Sequence, residues 1–264
     1  MTETAAYEDL GGGAFRASLL TQGPWNPEHQ HAGPPSALIA RAVERAAAPE
    51  GLTHLGRLTV NLLRPIPVGE CRIELNADHL GRGAGHFSGR LTAGDKTLAL
   101  FTALAQREQD LPTPEATPGH PPPIASRPPE ESPLVRFGVG GGFGYARLME
   151  NRLAAGAYFQ GPSTVWFRMA YPLVAGEETS PYARVIAAAD SGNGVSAGLD
   201  FAAYVFVNCD LTVSLFRRPI GEWVCLDARS WYGGNGCGLA ESALYDESGL
   251  IGRATQNLAV RARA

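Results

Sequence analysis

Alternation of apolar and polar side chains, the period-two mark of a half-buried strand, fills most of this chain, and two stretches of helical period interrupt it. In the first half, Leu58, Val60 and Leu62 alternate with Thr59, Asn61 and Leu63, and CRIELNADHL, FSGRLTAG and KTLALFTALAQR extend the strands to Arg107. Turns containing glycine or aspartate, GRGAG and AGDK, separate them. AFRASLL, from Ala14 to Leu20, reads as a short strand near the start. Pro34 and Pro35, suited to a helix's first turn, then lead Ala37, Leu38, Ile39, Ala40, Ala42, Val43 and Ala46. That apolar arc is broader than a single stripe, which predicts a largely buried helix over 34–48, closed by Pro49 and Gly51.

The second half repeats this order. AYFQGPSTVWFRMAYPL reads as strand, and Ser180 as N-cap with Pro181 at the first helical position predicts a helix over 180–190. From Phe201 to Phe216 the pattern predicts one long strand. Ala203, Val205, Val207, Cys209, Leu211, Val213 and Leu215 take one face, and Tyr204, Phe206, Asn208, Asp210, Thr212 and Ser214 the other. Further strands follow: WVCLDARSWY, and GLAESALYD turning at Glu247 to Gly249 into LIGRATQNLAVRA.

The halves also share wording. LTVNLLRP begins at Leu58 and LTVSLFRRP at Leu211, an offset of 153, and TALAQR ending at Arg107 matches QNLAVR ending at Arg261, an offset of 154. A repeat of this length is domain-sized, so the chain reads as a duplicated α+β domain and not a solenoid. The expected division is an N-terminal domain over 1–108, a Pro/Gly-rich linker over 109–154 and a C-terminal domain over 155–264. Nine of the twenty prolines fall between Leu111 and Pro133, a composition that forms neither a helix nor a central strand. The copies differ in polarity: Asp210 stands where the first copy has Arg57, and Gln256 lies opposite Thr102. Polar chemistry is concentrated in one half.

Composition narrows the function classes. A net charge of −4 argues against nucleic acid as partner. Lys96 is the sole lysine, which removes Schiff-base and P-loop chemistry. Cys71, Cys209, Cys225 and Cys237 show no CxxC spacing and make no disulfide framework. The start, MTETAAYEDLGGG, has neither the basic region nor the apolar core of a signal peptide, and no apolar run approaches the ~18 residues of a membrane span, so the expected setting is the cytoplasm.

Several motifs carry less than their spelling suggests. His29 and His31 form an HxH pair without third and fourth ligands at metal-site spacing, so no metal and no cofactor are expected. The amides around Gly33, at a helix N-terminus, offer instead a place for a developing oxyanion. GVGGGFG (138–144) lacks the buried strand that a dinucleotide loop needs in front of it. GxSxG, Gly194 to Gly198, follows a predicted helix and precedes a strand, the reverse of a nucleophile elbow, and no histidine occurs after His120 to serve the serine. A carboxylate in the middle of a strand, as Asp210 is, lies at an exposed edge or is placed for use, and alternation alone favours the edge. Gln256 reads likewise as a satisfied interior amide or an outward-facing side chain.

From Leu211 to Arg261 the sequence resembles the C-terminal part of the acyl-CoA thioesterase II-like family, in which two hotdog domains are fused in one chain, and HAGPPSALIARAV resembles that family's HGG entry to the first hotdog helix. The resemblance implies two antiparallel sheets, each wrapped around a long helix, and hydrolysis of an acyl thioester to free acid and CoA. It further implies an Asp, a Thr and a Gln from the second hotdog that hold the attacking water. Asp210 and Gln256 match the first and last. Ser230, in LDARSW, is the best match for the threonine and keeps its hydroxyl while losing its methyl. His31 and Gly33 fall to substrate binding, with HAG in place of HGG. Two alternatives stand beside this: a non-catalytic acyl-thioester binding protein, and another hotdog enzyme such as a hydratase or dehydratase, which typically pairs Asp with His. No nucleic-acid or membrane partner is expected. One chain already supplies the hotdog pair, and any homo-oligomer is expected to form through surfaces outside the active site.

Overall fold

The computed structural model describes residues 3–111, 127–135 and 142–263. The first half contributes six strands, β1 (Tyr7–Gly11), β2 (Ala14–Ala17), β3 (His54–Leu62), β4 (Glu70–Leu80), β5 (Ala84–Ala93) and β6 (Lys96–Gln106), with helix α1 (Gly33–Ala47) ahead of β3. Then come β7 (Leu134–Val135), α2 (Gly144–Leu148), β8 (Met149–Gly156), β9 (Ser163–Met169), α3 (Pro181–Ala189) and α4 (Gly192–Val195). The chain closes with β10 (Tyr204–Asn208), β11 (Asp210–Leu215), β12 (Val224–Tyr232), β13 (Cys237–Asp246) and β14 (Gly249–Ala262).

Both expected helices form at the expected places. Pro34 and Pro35 open α1, and Ser180 caps α3, its hydroxyl accepting the Ala183 N–H at 3.0 Å. Each lies against its own half of the sheet, α1 on β3 to β6 and α3 on β9 and β11 to β13, and the two helices pack on each other. Ala37 to Ala40 and Val185 to Ala189 are all buried, as the broad apolar arc of the first helix predicted. The result is an antiparallel sheet wrapped around a helix, twice over.

The two sheets are not separate. The order is β1-β2-β4-β5-β6-β3-β11-β14-β13-β12-β9-β8-β7, one antiparallel sheet whose halves meet where β3 pairs with β11. β11 therefore lies at the centre of the sheet, so Asp210 is not on an edge. The Phe201–Phe216 stretch is also not one uniform strand. Asn208 pairs with Leu258 but Thr212 pairs with Thr255, so four steps on one side match three on the other. Cys209 and Asp210 together face Asn257: a β-bulge, which reverses the in-and-out alternation beyond it. Phe206 and Asn208 point to the helix side with Leu211 and Val213, while Asp210 turns outward with Thr212 and Ser214.

The connector is shorter than its composition suggested. Residues 112–126 of the Pro-rich stretch lie outside the described residues, but β7, α2 and most of β8 fall within the span expected as linker, and β8 is a full strand of the second half. Of GVGGGFG, Gly138 to Gly141 lie outside the described residues. Gly144 opens α2, and among the described residues the strand before it is a two-residue, partly exposed edge and not a buried one. A Cβ at Gly144 would run into the Leu19 carbonyl, and the next amide, Tyr145 N–H, donates to the Gln22 carbonyl at 2.9 Å. The connector thus docks on the first half before entering the second. Among the described residues no helix is long and apolar enough to cross a membrane.

Candidate active site

A cavity of about 330 Å³ opens where the halves meet. Gly23 to Asn26, His29 to Ala32 and Leu62 to Ile66 line it from the first half, and Asp190, Asn193 and Val207 to Cys209 from the second. Asp190 is the C-cap of α3 and only 3% exposed. A carboxylate so buried must be compensated by donors, and three side chains reach it. Asn208 Nδ2 donates to Oδ1 at 2.7 Å, His31 Nδ1 lies 2.9 Å from Oδ2, and Gln256 Nε2 donates to the Asp190 carbonyl at 3.1 Å and to Oδ1 at 3.3 Å. Gln256 Oε1 in turn accepts the Asn193 N–H at 3.0 Å, which fixes the amide's orientation.

Local backbone explains the approach of each partner. The bulge at Cys209 aims Asn208 inward. Gln256 is buried on the same face as Ala254 and Leu258 of β14. At Gly192 a Cβ would come within 2.7 Å of Ser242 Oγ and 3.1 Å of Gln256 Oε1, so the start of α4 can close on Gln256 only without a side chain there. His31 is held from the other side. The Tyr145 ring stacks on it with centroids 3.7 Å apart and planes within 1°. The Tyr145 hydroxyl donates to the Ala187 carbonyl at 2.7 Å and meets Ser191 Oγ at 2.8 Å. Burial pushes that phenol far above its ordinary pKa, against a smaller opposing effect of the Ser191 bond, so it remains a hydroxyl.

His31 Nδ1 also lies 3.2 Å from the Gly33 N–H. One nitrogen cannot donate to Asp190 and accept from Gly33 at once. With the proton on Nδ1, directed along the shorter contact, the Gly33 amide at the start of α1 is left without a protein acceptor. Gly33 itself permits the close meeting of α1 and α3, since a Cβ there would lie 2.5 Å from the Ala187 carbonyl.

The structure does not bring Asp210, Ser230 and Gln256 together. Asp210 sits on the outer face of the sheet, where Asn257 N–H donates to its Oδ1 at 2.6 Å and Asn257 Nδ2 to its Oδ2 at 3.1 Å. Asn257 and Gln256 are consecutive in β14 and so point to opposite faces. Ser230 does share the face of Gln256, in the row Ser230, Ala240, Gln256, but β13 intervenes, a separation of about 10 Å between strands. Its hydroxyl pairs with Ser196 Oγ at 2.7 Å, and Ser196, the serine of GxSxG, donates to the Gly192 carbonyl at 2.8 Å. Gln256 keeps company with Asp190, Asn208 and His31 instead. Reading from sequence missed Asp190 as the end of an alanine-rich helix and Tyr145 as linker. The signal available for the first was a carboxylate directly following the apolar run IAAA. Among the described residues no three His, Cys, Asp or Glu side chains gather to hold a metal ion.

Comparison with known proteins bears on what this constellation belongs to. Residues 21–107 match a family model described as the acyl-CoA thioesterase N-terminal domain, and residues 114–260 its C-terminal domain counterpart. A search of the curated proteins finds no match. Among solved structures, a conserved protein of unknown function with a hot dog fold from Alicyclobacillus acidocaldarius is 19% identical, covers 99% of this chain and 98% of its own, and superposes with a TM-score of 0.73. The tesB protein of Mycobacterium avium subspecies paratuberculosis is 17% identical, with 97% and 96% covered and a TM-score of 0.69. An acyl-CoA thioesterase II, TesB2, of Mycobacterium marinum is 16% identical, with 98% and 95% covered and a TM-score of 0.67. At these identities the structures establish the double hotdog fold. The two family models span most of the sequence between them, and the chain belongs to the acyl-CoA thioesterase family.

Proposed function

We propose that the protein hydrolyses an acyl thioester of CoA, with Asp190 as the base that takes a proton from the attacking water. The observation that carries this reading is the buried Asp190 carboxylate, facing a cavity between the halves and held by Asn208, Gln256 and His31. A thioester carbonyl is activated enough for water to attack it without a covalent nucleophile, provided a base accepts the proton and a donor meets the developing oxyanion. Asn208 spends its Nδ2 on Asp190 and has its Oδ1 left to orient a water in the cavity. Gln256 locks Asp190 through both its carboxylate and its carbonyl. The Gly33 amide is the oxyanion donor this reading assigns. Asp190 thus takes the role expected of Asp210, and Asn208 the water-holding role expected of Ser230. The test is thiol release from acyl-CoAs of graded chain length: turnover of at least one is expected, and binding without turnover would favour a non-catalytic carrier.

A second reading has one specific observation behind it. His31 and Asp190 come from different halves yet meet at 2.9 Å, the acid–base pairing that hydration and dehydration of acyl thioesters employ. The absence of any histidine after His120 does not exclude it, because the histidine arrives from the first half. Loss of the enoyl absorbance of a 2-enoyl-CoA without thiol release would move the assignment there.

A further inference from the structure

The duplicated architecture exposes an arginine that has lost its partner. In the second half, Arg217 donates to Asp246 through Nη1 and Nη2, both at 2.6 Å, and through Nε to the Leu250 carbonyl at 3.0 Å. The equivalent positions 153 residues earlier are Arg64, Ala93 and Thr97. Strand register supports the equivalence: Asp246 pairs with Gly249 at the β13–β14 turn, and Ala93 with Lys96 at the β5–β6 turn. Arg64 keeps the carbonyl bond, with Nη1 donating to Thr97 O at 2.7 Å, but alanine replaces the carboxylate. Arg64 makes no ion pair among the described residues, and it lines the cavity that contains Asp190.

A second arginine of the same kind stands nearby. Arg263 is anchored by Nε to the Phe201 carbonyl at 2.8 Å, and its guanidinium carbon lies 5.9 Å from the ring centre of Trp25, another residue lining the cavity. It too has no acidic partner among the described residues. Many other arginines are spent in ion pairs, Arg16, Arg41, Arg90, Arg147, Arg152, Arg168 and Arg217 each with a carboxylate oxygen within 2.8 Å. What sets Arg64 and Arg263 apart from the remaining unpaired ones is their place at this cavity and its Trp25 wall. Two anchored but uncompensated guanidinium groups, one from each half, beside a cavity that ends on a buried carboxylate, form a site for anionic oxygen. A guanidinium binds phosphate with paired N–H donors, and here part of the ordering is already supplied by the carbonyl bonds.

We infer that Arg64 and Arg263 hold the phosphates of the CoA half of the substrate; this rests on the acyl-CoA reading above. The pantetheine arm then runs inward past Trp25 and Asn208, and the thioester reaches Asp190. The test compares one acyl group presented on CoA and on unphosphorylated pantetheine. The parent protein is expected to favour the CoA thioester in kcat/KM, and Arg64→Ala and Arg263→Ala each to shrink that preference about tenfold through KM, in line with the loss of one charge-assisted hydrogen bond. Arg64→Lys should recover part of it. In calorimetry free CoA should bind, more weakly with rising salt and about tenfold more weakly to either alanine variant. A preference ratio equal to the parent's in both alanine variants overturns the inference, as does a parent that prefers the pantetheine thioester. If the parent cleaves neither thioester yet the calorimetric losses appear, the phosphate subsite stands and thioester hydrolysis falls.

Discussion

Thr59 and Thr212, equivalent residues of the two copies, face each other across the paired strands β3 and β11, and their hydroxyls hydrogen-bond at 3.1 Å. A residue that pairs with its own counterpart can lie only on the axis that exchanges the copies, so the pseudo-two-fold passes through this pair. Rungs on either side exchange accordingly: Leu58 pairs with Val213, and Val60 with Leu211. The register also corrects one equivalence. Thr59 pairs with Thr102 and Thr212 with Thr255, so Thr102 corresponds to Thr255, and the counterpart of Gln256 is the buried Ala103. An apolar side chain stands in the first half where the second carries its anchoring amide, so one site of this kind is expected per chain.

The bulge at Cys209 turns Asp210 away from the cavity that Asp190 lines. Asp190→Asn should lower turnover on the order of 10²- to 10⁴-fold with folding retained, the usual consequence of losing a general base. Asp210→Asn should stay within a fewfold of the parent, because its carboxylate bonds Asn257 on the opposite face of the sheet. Steady-state thiol release by the two variants, measured side by side, checks both; a silent Asp190→Asn with a crippled Asp210→Asn would reverse the assignment.

What could be read without coordinates follows from physical range. The repeat, both helices and their caps are local or periodic features, and Pro34, Pro35, Ser180 and Pro181 announce them directly. The existence of matching strands in the two halves follows from the repeated LTV, whereas the position of the axis needs the pairing of β3 with β11. The site is different, because its members meet through register. One extra residue in the β10–β11 strand decides whether Asn208 or Asp210 faces the helices, and no composition marks Cys209 as that residue. Tyr145 is hidden for another reason: it lies after a Pro- and Gly-rich stretch, and only the docking of α2 on the Leu19–Gln22 turn carries it to His31.

Gln256 anchors rather than reacts, and its removal should show in two measurements. Gln256→Ala should cost about 1–3 kcal/mol of stability in denaturant unfolding, since the Asn193 N–H loses its acceptor in a buried setting. Turnover should fall less than in Asp190→Asn, because Asn208 and His31 continue to hold the carboxylate. A variant as inactive as Asp190→Asn would mean that the amide itself contacts the reacting water.

Asp246 should make stability sensitive to acid. Burial would raise its pKa, but the Arg217 pair, the Ser248 hydroxyl and the Ile220 and Ser248 amides outweigh it and hold the carboxylate below its usual range. A group with a depressed folded-state pKa contributes stability above its unfolded value, near 3.8, and loses it as pH falls through the folded one. Asp246→Asn should therefore unfold more easily than the parent at neutral pH, and the difference should narrow below about pH 4. Urea midpoints at pH 7 and pH 3 supply the measurement; a constant difference would remove Asp246 from the acid response.

Tyr145 offers a test of whether His31 must be held still. Its ring lies flat on the imidazole, and its hydroxyl is tied to the Ala187 carbonyl and Ser191 Oγ. Tyr145→Phe keeps the stack and removes the tether, leaving Ser191 Oγ and the Ala187 carbonyl short of a partner. Tyr145→Leu removes the stack as well, replacing a flat surface with a branched one that cannot fix the ring plane. If the imidazole positions Asp190 through Nδ1, turnover should fall in order, about threefold to tenfold for Phe and further for Leu, since small displacements at a site of this kind are costly. KM should move less than kcat, because Tyr145 does not line the cavity. A His31→Gln variant provides the comparison: once the ring is gone, Tyr145→Leu should add little to the loss, the non-additivity of groups acting as one unit. Full additivity of the two losses would show that Tyr145 acts on packing alone and not through His31.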